Sequence, residues 1–98
     1  MTKKSRPSAE VVDAWVDMCE GVFVTLMQGI LKATTVEAEY AGLASEVRQL
    51  TQQEIHRIAR SAAERYVQLA NPDLGAGSKD KINSWKREAI EYALRKRK

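Results

Sequence analysis

His56 and Cys19 are the only residues of their kinds in the chain. A nucleophile and base must be adjacent with a third group orienting the base, and a zinc site needs three or four ligands. Neither requirement is suggested by this pair. Cys19 falls on an apolar row and reads as a small buried hydrophobe, whereas His56, beside Arg57, reads as a surface residue. Asp13, Asp17 and Glu20 share one face at helical spacing, but acids on an exposed helix stripe are ordinary, and no acid/base pair of the glycosidase kind is identifiable from spacing. The expectation is a protein that is not an enzyme and carries no metal or cofactor.

Two further features point towards anions. Gly75 to Lys79, "GAGSK", precedes a helical pattern, and a helix N-terminus offers free amides and a positive dipole to a phosphate. It lacks the GxxxxGK[ST] spacing and no strand precedes it, so it reads as an interhelical loop. The cations are the stronger feature. Arg57, Arg60 and Arg65, with Gln53, lie off the apolar row of one helix, Lys79, Lys86 and Arg87 lie on another, and Arg95, Lys96, Arg97 and Lys98 end the chain. Such groups displace counterions from phosphates, and Arg or Gln near a helix start reaches base edges. Glu54, Glu64, Asp80, Glu88 and Glu91 interrupt the pattern, which keeps a merely solvated face as the alternative.

The net charge of +3 conceals two halves. Residues 7–46 hold one cation, Lys32, against seven anions, and residues 47–98 hold twelve cations against six anions. A chain divided in this way can pair with itself, with a second copy, or with a polyanion. With 98 residues, 44% hydrophobic and 30% charged, it should bury one modest core. A single cysteine excludes an intramolecular disulfide and suits a reducing, cytoplasmic setting. Lys3, Lys4 and Arg6 are followed by Glu10, Asp13 and Asp17 where a signal peptide would be apolar. The apolar run from Val22 to Leu31 is too short to cross a bilayer, so no membrane role is expected.

These residues must be positioned by helices. Val12, Val16, Cys19, Phe23, Leu26 and Ile30 alternate steps of four and three, which predicts a helix over about residues 9–33 with Ser8 as its N-cap. A second row, Val11, Trp15, Met18 and Val22, widens its apolar surface, and Gly21, Thr25 and Gly29 form a row of small side chains that would admit another helix. This helix is therefore expected to be either central or half of a subunit interface, with Trp15, Met18, Gly21, Val22, Phe23 and Gly29 as the contact set. An alternative reads the β-branched run at 22–36 as a β-hairpin, giving an α+β fold.

Val36, Tyr40, Leu43, Val47 and Leu50 predict a second helix over about 35–49. In "LTQQEI", Thr51 as N-cap, Glu54 three residues inside, and Leu50 with Ile55 as a flanking apolar pair form a capping box with its staple. A helix should therefore start there, or a longer rod should bend. "LTQQEIHRIA" also resembles the opening of a helix-turn-helix, but Arg60 occupies the place of the turn glycine and the helical pattern continues. Ile55, Ile58, Ala62, Tyr66 and Leu69 carry this third helix over 52–70. "NPDLGAGS" ends it, and Ser78 caps a fourth helix over 79–95 with Ile82, Trp85, Ala89, Ile90 and Leu94 inside and Glu91 poised to answer Arg95.

The expectation is an all-α bundle of about four helices, with a basic N-terminal arm at 1–8, one helical domain at 9–95 and a basic tail at 96–98. The favoured function is non-enzymatic binding of nucleic acid through phosphate contacts by the basic half. The alternative is a protein-binding adaptor or inhibitor working through the acidic, apolar-rich first helix, and a homodimer through that helix is expected in either case.

Overall fold

The computed structural model describes residues 8–70 and 79–96, which form α1 (Ala9–Lys32), α2 (Ala41–Val47) preceded by a 3-10 turn (Ala38–Tyr40), α3 (Gln52–Ala70) and α4 (Lys79–Lys96). The all-α expectation holds: among the described residues there is no strand. Residues 1–7, the 71–78 loop with "GAGSK" and the Ser78 cap, and Arg97 and Lys98 lie outside the described residues.

Ser8 caps α1 as expected, its Oγ accepting from the Val11 amide at 3.3 Å. The hairpin alternative at 22–36 is overturned because α1 runs through Gly21 and Gly29 to Lys32. Each glycine weakens the helix by about 1 kcal/mol, but breaking it would expose Phe23, Met27 and Ile30, whose burial is worth roughly 1.5 to 3 kcal/mol apiece. The helix ends at Ala33, which turns to ψ 141°. Arg48 closes that end: its Nε donates to the Ile30 carbonyl at 3.3 Å and its Nη2 to the Ala33 carbonyl. These are carbonyls that a helix terminus leaves without intrahelical donors.

The second helix is shorter than its apolar spacing predicts. Thr34, Thr35 and Val36 are β-branched, and Gly42 follows within the element, so helical geometry covers only 38–47. Burial nevertheless keeps the expected rhythm, with Tyr40, Leu43, Val47 and Leu50 all inside. The chain turns at 48–51, so α2 and α3 are two helices rather than one bent rod. At that break the Thr51 amide donates to Glu54 Oε1 at 2.9 Å and the Glu54 amide to Thr51 Oγ1 at 3.1 Å, while Leu50 and Ile55 are buried as the staple.

The central element is α3, not α1. It packs α1 on one side and α4 on the other, burying Ile55, Ile58, Ala59, Ala62, Ala63, Tyr66, Val67 and Ala70. Its alanines, with Ala89 and Ala93 of α4, leave little bulk between helices and permit close approach. The three helices are linked through rings: Phe23 meets Tyr66 edge-on at 5.8 Å between centroids, and Tyr66 meets Trp85 edge-on at 6.2 Å. Cross-helix contacts of Gln28 with Gln52 and of Asp17 and Glu20 with Arg60 set α1 antiparallel to α3. Contacts of Arg65 with Glu88 and Tyr92, and of Tyr66 with Trp85, set α4 antiparallel to α3.

Candidate nucleic-acid interface

Antiparallel packing carries the end of α4 back beside the start of α3. The first turns of α3, fixed by the Thr51–Glu54 box, expose Gln53, His56 and Arg57, and the last turn of α4 exposes Arg95 and Lys96. Arg57, Ile58, Arg60, Ser61 and Glu64 of α3 and Ala93 and Lys96 of α4 line one open groove of about 540 Å³. Arg57 and Lys96 thus face a shared space from two helices. Among the described residues, neither they nor Arg95 are engaged in an ion pair.

The other predicted cations are placed differently. Arg60 sits in the same groove but reaches over to α1, where Nη1 binds Asp17 and lies 3.1 Å from Glu20 Oε1, while Nε is 3.9 Å from Glu64. The hydrogen bonds it donates to Asp17, then to Glu20, hold its guanidinium above the usual arginine range. Arg65 lies 3.7 Å from Glu88 and covers the Tyr92 ring at 4.8 Å. Arg87 pairs with Glu91 at 3.4 Å, so Glu91 answers Arg87 and not the expected Arg95. Lys79 is exposed at the start of α4, at the opposite end from Lys96. Lys86 is half-buried and borders a separate apolar groove beside Cys19 and Phe23.

The remaining chemical candidates are reached by no constellation. Among the described residues no group of three or more His, Cys, Asp and Glu side chains is arranged to hold a metal. Cys19 is half-buried and its thiol is pushed up by burial, with the Lys86 charge opposing the shift. Exposed His56 lies on α3. The chain also departs from helix-turn-helix packing. α3 continues unbroken through Arg60, and α2 packs on α1 while its 3-10 turn touches α4. Arg48, which pins the turn before α3 to the end of α1, is the positioning residue that sequence reading missed. Its one signal was a cation set within the apolar row of the second helix, between Val47 and Leu50.

The expected interface on α1 separates into two faces. Phe23 is 1% exposed and belongs to the core, so it is corrected out of the contact set. Met18 and Val22 are 64% and 48% exposed, Val11 is also exposed, and Trp15 is half-buried. A Cβ built on Gly21 or Gly29 would meet nothing within 4 Å, so no helix among the described residues uses the small-residue row. With 24 residues and a mean hydropathy of 1.3 over its most apolar window, α1 is long and apolar enough to cross a membrane by length and composition, contrary to the shorter run read from sequence. No family description, curated protein or solved structure matches the chain.

Proposed function

We propose that this protein is a non-enzymatic nucleic-acid binder that grips phosphates with the end of the bundle where α3 begins and α4 finishes. The supporting observation is that Arg57 and Lys96 line one groove with no ion-pairing acid among the described residues, while Arg60, Arg65 and Arg87 are occupied by acids. Uncommitted cations release counterions on meeting a phosphate chain, whereas paired ones must first give up a partner. Gln53 and His56 on the adjoining exposed turn add hydrogen-bonding groups. Binding is expected to depend mostly on backbone charge and little on sequence. Titration of the purified protein into labelled duplex and labelled single strand at two salt concentrations tests this reading. A log–log slope near zero, or no binding at low salt, removes it.

A second reading, in which α1 engages a protein, is favoured by exposed Met18 and Val22. Under it, partner binding is lost on Met18→Glu and indifferent to Arg57→Ala.

A further inference from the structure

The outer face of α1 carries a second, independent pattern. Val11, Trp15, Met18, Val22, Thr25 and Gly29 recur at alternating steps of four and three, a heptad seam rotated away from the row that meets α3. The side chains beside it, Ala14, Gly21 and Gln28, are uncharged. Its members form a strip spanning about 27 Å at 1.5 Å per residue, exposed and apolar at Val11, Met18 and Val22 and small at Thr25 and Gly29. The flank of the strip opens into a groove of about 360 Å³ between α1 and α4, where Met18, Cys19, Val22 and Phe23 face Ile82 and Lys86 across the Tyr66 ring. Among the described residues no helix covers this side of α1.

We propose that the strip is covered by the same strip of a second copy, with the two α1 helices antiparallel about a two-fold axis. Bulk along the seam falls from the N-terminal to the C-terminal half: Val11, Trp15 and Met18, then Val22, Thr25 and Gly29. Antiparallel pairing about the middle sets Trp15 against Thr25, Val11 against Gly29 and Met18 against Val22, so large side chains meet small ones at each level. A parallel pair would set Trp15 on Trp15 and leave a gap at Gly29. Charge favours the same direction. Glu10 is in the first turn of α1 and Lys32, its only cation, in the last; both are exposed and neither forms an ion pair within the described chain. Antiparallel copies bring Glu10 of each to Lys32 of the other, twice per dimer. An isologous contact of this kind closes on itself and leaves the α3–α4 basic end of both copies outside the interface. One helix pair is small for a specific interface, so the dissociation constant is expected on the order of 10 μM.

Sedimentation velocity in moderate salt and without nucleic acid, from about 1 to about 200 μM, brackets that constant. The average mass is expected to rise from 11.0 kDa towards twice that value. Met18→Glu and Val22→Glu, both at exposed positions, should keep the helical circular dichroism and melting of the parent and raise the dissociation constant at least about tenfold. Glu10→Lys and Lys32→Glu should each weaken the dimer about two- to fivefold, and the double variant should restore it, a rescue that only antiparallel copies give. A mass fixed at 11.0 kDa overturns the proposal, as does a dimer indifferent to Met18→Glu. A chain that stays monomeric yet binds phosphatidylcholine–phosphatidylglycerol vesicles through Met18 and Val22 overturns it in favour of a lipid surface.

Discussion

Arg60 Nη1 lies 3.1 Å from Glu20 Oε1 and also binds Asp17, so one guanidinium of α3 bridges two acids of α1. The pairing joins the acidic half of the chain to the basic half and sets the register of two antiparallel helices. Arg60→Ala is expected to lower the melting temperature at low ionic strength. The difference should shrink towards zero near 1 M NaCl, where the screening length falls to about 3 Å. Differential scanning calorimetry at two salt concentrations checks it, and an equal difference at both would assign the loss to packing by the arginine stem.

Much of this register was legible beforehand. The opposed charges of the two halves allowed self-pairing beside pairing with a second copy or a polyanion, and the Thr51–Glu54 box marked the start of α3 to the residue because its hydrogen bonds are local. Helical spacing found the buried side chains of the short second helix and also Leu50, which lies past the end of α2 and is placed by packing. What spacing left open was which helix is central. Ala59 and Ala63 are small enough to flank the row of Ile55, Ile58 and Ala62 without appearing as a second apolar stripe, so α3 looked one-sided. The division of the cations was equally hidden, because Glu88 meets Arg65 through the orientation of α4 on α3, and Glu91 stands four residues from both Arg87 and Arg95, so spacing alone does not choose between them.

The capping box should contribute measurably to the break between α2 and α3. Thr51→Ala leaves the Glu54 amide without its side-chain acceptor and is expected to cost about 0.5 to 2 kcal/mol. Glu54→Ala should cost less than this when made on the Thr51→Ala background than when made on the parent. Urea unfolding of the four-member cycle gives the coupling; additive losses would mean that the two hydrogen bonds act separately.

The two faces of α1 should respond to truncation in opposite ways. Phe23→Ala empties a site that is closed by Tyr66 and is expected to cost about 3 to 5 kcal/mol, enough to threaten folding in a domain of this size. Met18→Ala, 64% exposed, should change monomer stability by less than about 0.5 kcal/mol. Denaturant midpoints measured below the association range separate the two.

Alkaline pH should loosen the bundle through Cys19 and Tyr66. Burial pushes both groups up, with Lys86 opposing the shift at Cys19 and the Cys19 charge adding to the shift at Tyr66. A raised folded value means that the folded state holds its proton longer than the unfolded chain does. The stabilisation is therefore complete below the ordinary thiol and phenol values and is lost as pH rises through the raised ones. Melting temperature should be flat from about pH 7 to 8.5 and fall above that, and Cys19→Ala should make the decline shallower. Aromatic thiol reagents should label Cys19 at pH 8 more slowly than free cysteine.

The grouping of cations predicts an unequal salt dependence. Arg57→Ala and Lys96→Ala each remove a cation from the shared groove and should reduce the slope of log affinity against log salt by about 0.9 on duplex or about 0.7 on single strand. Lys79→Ala, at the far end of α4, and Arg87→Ala, already paired with Glu91, should leave the slope within error. Arg60→Ala should fall between them, because its groove position favours contact while Asp17 and Glu20 compete for it. Fluorescence anisotropy over a fourfold range of salt resolves these cases. Equal slopes for all five variants would spread the contact over the whole basic half and dissolve the groove as its centre.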